Sequence, residues 1–198
     1  MPELIASPPA KRLFLALPIP TQLKSTIKNI QKPWQSLDLP VNWQGGKLLH
    51  LTLVFLGEQP VDRIDILTEL MENVGRQTAR FRLQLEAPGA FPSFGHPQVL
   101  WMGVEPSMAL IRLQRQLVLE LESAGFAREV HPYHPHITIG RCPHELSRPD
   151  RQRVQAVLSK PPVLVGESGW EVDRMHLYES HYDEHGLHYT PLSGIMLP

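Results

Sequence analysis

Two short stretches constrain what this chain can fold into more than any other feature: His50-Leu51-Thr52-Leu53 within LLHLTLVFLG, and His136-Ile137-Thr138-Ile139 within HPHITIGR. Each places a His and a Thr two residues apart, with aliphatic residues between and after them. Successive side chains of a strand leave opposite faces, so the His and Thr share one face while Leu51/Leu53 or Ile137/Ile139 share the other. With 10 His and 7 Thr in the chain, chance supplies roughly 0.35 such triplets, so two in the same aliphatic setting are an excess. A third, His188-Tyr189-Thr190, runs into Pro191, which suits a sheet edge or a strand end, and it reads as accidental.

The elements around the two motifs recur in one order. KRLFLALP (11–18) alternates as a half-buried strand; a helix opening at Thr21 carries Leu23, Ile27 and Ile30 and ends near Pro33; Leu49 to Leu56 is the first motif strand, closed by Gly57. A helix through Ile64, Leu67, Leu70, Met71 and Val74 follows, stopped by Gly75, and then a strand from Phe81 that ends in the Pro/Gly-rich APGAFPSFGHP. The order then starts again: a strand at 99–104, a helix capped by Ser107 and stopped by Gly125, the second motif strand at 135–141, a helix at about 150–158, and a strand at 172–178. From Arg12 to His50 is 38 residues, and from Val99 to His136 is 37. The spacing predicts a single domain over 1–198 made of two lobes from an internal repeat, about 11–91 and 98–180. A C-terminal hairpin strand at 186–197 follows the turn Asp183-Glu184-His185-Gly186, and residues 1–10 form a flexible lead. Packed about an approximate two-fold, the repeats face their His and Thr across one cleft.

Composition narrows the function classes. A net charge of -1 lacks the basic excess of a general nucleic-acid binder, so any nucleic-acid contact is local. The longest apolar run, Leu13 to Ile19, is broken by Pro18 and is far short of a membrane span. No signal peptide is visible in MPELIASPPA. The single cysteine, Cys142, excludes an intrachain disulfide and fits a reducing compartment. A monomer in the cytoplasm is the expectation.

Imidazole titrates near neutral pH, so two rings facing each other suit a reaction that needs both an acid and a base. Threonine hydroxyls are neutral donors that steady oxygens as negative charge moves. A compact anion between two such pairs is the natural ligand, and a strained phosphodiester needs little else. Acyl chemistry has no Gly-x-Ser-x-Gly to support it, and no glycine-rich phosphate loop is present. Two rival readings stay open: His131, His134 and His136 as a zinc site, and a module that binds RNA ends without turnover.

The chain resembles the two-histidine phosphoesterase superfamily, and within it the RNA 2′,3′-cyclic phosphodiesterase (2′-5′ RNA ligase-like) family. The resemblance lies in RLFLALPIP, LHLTLVFLGE, YHPHITIGR and the closing LYESHYDEHGLHYTPL. It implies a bilobal α+β fold, two mainly antiparallel sheets with outer helices and a central cleft. It implies that His50 is the general acid for the leaving ribose oxygen and His136 the base for water, with Thr52, Thr138 and Arg141 on the phosphate. The implied reaction opens a 2′,3′-cyclic phosphate at an RNA 3′ end to a 2′-phosphomonoester, with no metal or other cofactor. The implied partners are RNA ends bearing that group or a 2′-5′ linkage, tRNA halves among them.

Other residues have two readings. Phe14 lies on the strand face away from the leucines, placed to stack on a base or simply to pack. Tyr133 and His134 either line the cleft or shape its entrance, and Trp43 is similar. Lys47, Arg148, Arg151 and Arg153 form either a phosphate track or a solvated face.

Overall fold

In the computed structural model, which describes residues 9–127, 131–160, 168–184 and 186–198, the two motif strands lie side by side. These are β3 (His50–Pro60) and β6 (His136–Arg141), antiparallel, with Leu51 opposite Ile137. Both aliphatic residues at that match are fully buried. The remaining strands are β1 (Ala10–Pro18), β2 (Asn42–Trp43), β4 (Phe81–Ser93), β5 (His96–Val104), β7 (Gly169–Val172), β8 (Arg174–Asp183) and β9 (Gly186–Met196). Their spatial order is β7-β4-β5-β6-β3-β1-β8-β9, with β2 beside β6. Every pairing is antiparallel. The β3/β6 seam thus joins two four-stranded antiparallel sheets. The halves of the sheet are not the halves of the sequence, because β4 pairs with β5 and β8 pairs with β1. β4 thus lies on the side of β5 and β6, and β8 on the side of β1 and β3.

Four helices cover the sheet: α1 (Thr21–Gln35), α2 (Ile64–Arg76), α3 (Met108–Ser123) and α4 (Arg148–Leu158). Each buries one stripe, such as Leu23, Ile27, Ile30 and Trp34 on α1, or Leu110, Leu113, Leu117 and Leu121 on α3. A fully buried leucine of this kind stabilises the fold by roughly 1.5–3 kcal/mol. Ser107 caps α3, its Oγ accepting from the Leu110 amide at 3.3 Å, and Ser147 caps α4 by accepting from the Asp150 amide at 3.2 Å. Buried Gln31 of α1 donates Nε2 to the carbonyls of Ile139 (2.8 Å) and Gln44 (3.1 Å), tying the helix to β6. None of the described helices is long and apolar enough to cross a membrane.

Several boundaries differ from expectation for identifiable reasons. Helix α1 runs past Pro33, which sits in the last turn and forfeits only the bond to the carbonyl four residues back. The two further residues bring Trp34 to 6.2 Å from Trp43. Gly75 does not stop α2. It lies inside the helix, where a Cβ would stand 2.7 Å from Ile195 Cγ2, so the glycine permits close approach to β9. Gly57 likewise sits within β3 at φ 68°, at a bulge opposite β1. Strand β4 continues through the Pro/Gly-rich stretch: β7 pairs with it only over 81–84, so beyond that point its outer edge needs no amide donors and Pro88 and Pro92 cost no ladder bond. The last strand of the second repeat begins at Arg174 and runs to Asp183, with 169–172 a separate strand on β4. Its hairpin to β9 pairs Asp183 with Gly186, around His185, which lies outside the described residues. So does the N-terminal lead as far as residue 8.

Candidate active site

Antiparallel pairing at Leu51/Ile137 has a direct consequence for the polar face. The local two-fold of such a pair exchanges residues equally distant from the match, so it exchanges His50 with His136 and Thr52 with Thr138. Both pairs line one cleft of about 600 Å³. The equivalence extends to the tautomers. His50 Nδ1 lies 2.8 Å from the Leu48 carbonyl, and His136 Nδ1 lies 2.7 Å from the His134 carbonyl, in each case two residues upstream. A carbonyl only accepts, so Nδ1 carries the proton in both rings and Nε2 is left to exchange one with a ligand. Burial pushes His50 down from 6.5 to about 4; the Leu48 carbonyl opposes this, and the charges of His136 and Arg141 add to it. His136 is also lowered, again chiefly by burial, with the His134 carbonyl opposing.

Arg141, at the end of β6, opens into the same cleft and makes no ion pair among the described residues. Arg12 of β1 joins it there. Glu58, opposite Arg12 in the β1/β3 register, is the one carboxylate among the described residues of the cleft, so two cations and one carboxylate surround the two imidazoles, and Arg141, without an ion pair among the described residues, is the charge left for an anion.

An aromatic shell holds the rings. Around His50 stand Phe14 (4.9 Å between centroids), Tyr189 (5.0 Å, edge-on) and Tyr178 (6.5 Å). Around His136 stand Phe91 (4.9 Å, edge-on) and Trp101 (6.1 Å). Phe14 is only 2% exposed and one face is stacked on Tyr178 at 5.3 Å, so it supports His50 rather than offering a platform for a base. Arg12, Phe55, Glu58, Phe91 and Tyr189 are among the cleft-lining residues that sequence reasoning passed over, and Tyr178 and Trp101 pack against the two imidazoles from outside the lining. Arg12 was findable, since it shares a strand face with Phe14. Tyr189 belongs to the third His-x-Thr triplet. That triplet brings no His–Thr pair to the cleft, as His188 turns to Asp183 at 3.0 Å and Thr190 is exposed, yet its middle residue packs on His50.

Tyr133 and His134 do not line the cleft that holds Arg141; they wall an adjoining space. The Tyr133 hydroxyl donates to the Thr52 carbonyl at 3.1 Å, fastening the segment before β6 to β3. Trp43 packs on Trp34. Arg148, Arg151 and Arg153 ride on α4 outside the cleft; Arg153 is held by Asp150 and by the carbonyls of Leu37 and Asp38, and Arg151 by the carbonyl of Leu146. Lys47 is exposed and does not line it either. The zinc arrangement is not assembled: among the described residues no three His, Cys, Asp or Glu side chains converge, and the His134 and His136 rings lie 6.4 Å apart. Burial lifts the Cys142 thiol to about 11, which leaves it without nucleophilic character at neutral pH.

A bilobal antiparallel sheet that presents two His-x-Thr motifs across a seam defines the two-histidine phosphoesterase class. The sequence profile of the 2′-5′ RNA ligase superfamily matches residues 20–184. An RNA 2′,3′-cyclic phosphodiesterase of Thermus thermophilus is 30% identical over 195 residues, covering 94% of this chain and 90% of that protein. One of Geobacillus stearothermophilus is 34% identical over 129 residues, covering 65% of this chain; the match spans 41% of that longer protein. The crystal structure of Escherichia coli LigT complexed with 3′-AMP superposes with a TM-score of 0.75 at 26% identity, covering 96% of this chain and 99% of that one. The chain belongs to the 2′-5′ RNA ligase superfamily of two-histidine phosphoesterases.

Proposed function

We propose that the chain is an RNA 2′,3′-cyclic phosphodiesterase in which His50 serves as general acid and His136 as general base. The observation that carries this reading is the pair of imidazoles, each with Nδ1 engaged by a carbonyl and Nε2 left for a ligand, lining one cleft with Arg141, which makes no ion pair among the described residues. A cyclic phosphate enters as an anion and replaces the solvation that burial denies to a protonated ring, so His50 gains a proton as the substrate binds. Arg141 and the hydroxyls of Thr52 and Thr138 hold the non-bridging oxygens as charge builds on them. His136 Nε2 takes a proton from water, the water oxygen bonds to phosphorus, the P–O3′ bond breaks, and His50 Nε2 delivers its proton to O3′. The product is a 2′-phosphomonoester, and the rings exchange protonation states, to be reset by solvent. The proton that the bound anion draws onto His50 is the one it delivers, since burial leaves the ring of the free protein neutral near pH 7.

With a net charge of -1 and only Arg12 and Arg141 as cations lining the cleft, recognition centres on the RNA end rather than a long duplex. RNA halves with a cyclic phosphate, such as those of a cleaved tRNA, and 2′-5′-linked RNA are the proposed partners, met by a monomer in the cytoplasm. The test is hydrolysis of a 2′,3′-cyclic mononucleotide in excess chelator. The wild type should release the 2′-phosphate. His50→Ala and His136→Ala should each lose at least ~10²-fold in turnover. Unchanged rates, or loss of activity to chelator restored by zinc, would refute the assignment, and RNA-end binding with no product at high protein concentration would mark a binding module.

A further inference from the structure

Charge is distributed unevenly along the chain. Residues 11–57 hold six Lys or Arg against one acid, Asp38, although the whole chain has a net charge of -1. Three of these cations, Lys24, Lys28 and Lys32, stand four residues apart on α1 and share one flank of the helix, where they repel one another. Helix α1 carries no Asp or Glu to offset them, whereas α2, α3 and α4 each mix both signs. Neither these three lysines nor Lys47 makes an ion pair among the described residues.

The flank begins beside the catalytic cleft. His50 Nδ1 is held by the Leu48 carbonyl, and the Leu48 amide donates to the Gly45 carbonyl at 2.9 Å, so the turn 45–48 leads directly into the His50 side of the site. Gln44, just before the turn, lines the cleft at 6% exposure, with its amide donating to the Ile139 carbonyl and its carbonyl accepting from Gln31. Its buried Oε1 meets no donor among the described residues, which leaves an acceptor in the cleft wall for a donor that a ligand brings. Across the turn, a Cβ at Gly46 would lie 3.9 Å from Lys24 Cδ. Lys24 is half-buried there, and Lys28, Lys32 and Lys47 are exposed.

We propose that the RNA strand on the 5′ side of the cyclic phosphate leaves the cleft over the turn 45–48 and lays its phosphates along Lys24, Lys28 and Lys32, with Lys47 at the crossing. The inference rests on His50 being the acid of the proposed reaction. His50 then protonates O3′ of the terminal ribose, which places that ribose on the His50 side, and the strand attached to its 5′ carbon continues from there. From Lys24 to Lys32 the helix rises about 12 Å, which at roughly 3.4 Å per charge along one strand matches three or four phosphates. Lysine is a point charge on a flexible stem and follows a backbone without reading bases, so the flank takes single-stranded RNA of any sequence. A lipid surface fits less well, because α1 exposes no large apolar side chain to insert.

The experiment follows binding of a 5′-labelled pentanucleotide RNA ending in a 2′-phosphate, the hydrolysis product, by fluorescence anisotropy over a range of salt, beside hydrolysis of a cyclic mononucleotide. Lys24→Gln/Lys28→Gln/Lys32→Gln should weaken the pentanucleotide about tenfold or more and flatten the log–log salt dependence by about 2. The same variant should hydrolyse the cyclic mononucleotide within about twofold of wild type. Arg112→Gln/Arg115→Gln, which removes cations from α3, should change neither. In wild-type protein alone, the salt dependence for the pentanucleotide should be steeper by about 2 than that for 2′-AMP measured by competition; equal slopes overturn the proposal whether or not the variant folds. A triple variant with native circular dichroism that binds the pentanucleotide as wild type does also overturns it, and lost binding to phosphatidylserine vesicles in that variant would assign the flank to a membrane instead. Equal weakening by the α3 variant overturns it too, because a diffuse field would then account for the binding. If wild-type protein fails to hydrolyse the cyclic mononucleotide, the proposed function falls, whereas the anisotropy comparison still reports on the lysines.

Discussion

Anion binding in the cleft should draw a proton onto His50. Burial holds its pKa at about 4, against 6.5 for a free imidazole. That difference corresponds to about 3 kcal/mol against the charged ring. Because the folded value lies below the unfolded one, the unfolded chain binds more protons between pH 4 and 6.5. His50 therefore leaves stability intact above about pH 6.5 and removes about 3 kcal/mol of it progressively as pH falls to about 4. A singly charged phosphate about 4 Å from the ring attracts the imidazolium by about 4 kcal/mol at an effective dielectric of about 20. This outweighs the burial term and carries the pKa of His50 back up in the complex. Binding of inorganic phosphate or a 2′-phosphate at pH 6 should then take up close to one proton. Calorimetry in buffers of different ionisation enthalpy measures that uptake directly, and the His50 Cε1 signal gives both pKa values, with His50→Gln as the control. A free-protein His50 titrating at or above 6.5, or anion binding with no proton uptake, would refute the reasoning. For catalysis the sign is the same: both rings are lowered in the free protein, so kcat/KM should follow a bell whose maximum lies on the acid side of 6.5.

Three substitutions probe the surroundings. Removing the charge of Arg141 with Arg141→Ala should cost about 10–100-fold in kcat/KM, the worth of one or two charged hydrogen bonds, with partial recovery in Arg141→Lys; steady-state kinetics that show no loss would take Arg141 off the phosphate. Gln31→Leu takes the side-chain donor from the Gln44 carbonyl and one of two donors from the Ile139 carbonyl, which keeps the Gln44 amide, and should destabilise the fold by about 1–3 kcal/mol, read as a lower urea midpoint at unchanged slope. In Gly89→Ala the new Cβ would overlap Cη2 of the Trp101 indole, so the indole must move. The expected cost is about 1–3 kcal/mol with altered near-UV circular dichroism, and turnover should fall because Trp101 packs on His134 and His136.

The paired motifs and the face each presents were legible from residue order, because strand side chains alternate and that alternation is local. A single aliphatic match, Leu51 against Ile137, then suffices to carry His50, Thr52, His136 and Thr138 to one side of the sheet. Partner choice was not legible in the same way. A period of two states which face is buried but not which strand lies alongside, so the exchange of β4 and β8 between the two sides emerges only in the folded chain. The passage of β4 through Pro88 and Pro92 has the same origin, since a missing amide matters only where a neighbour would accept it. Tyr189 comes to His50 because β9 pairs with β8 and β8 with β1, a chain of contacts between residues far apart in sequence. Local alternation determined which groups share the cleft face; long-range strand pairing decided what surrounds them, how far His50 is buried, and how much space stands beside His136.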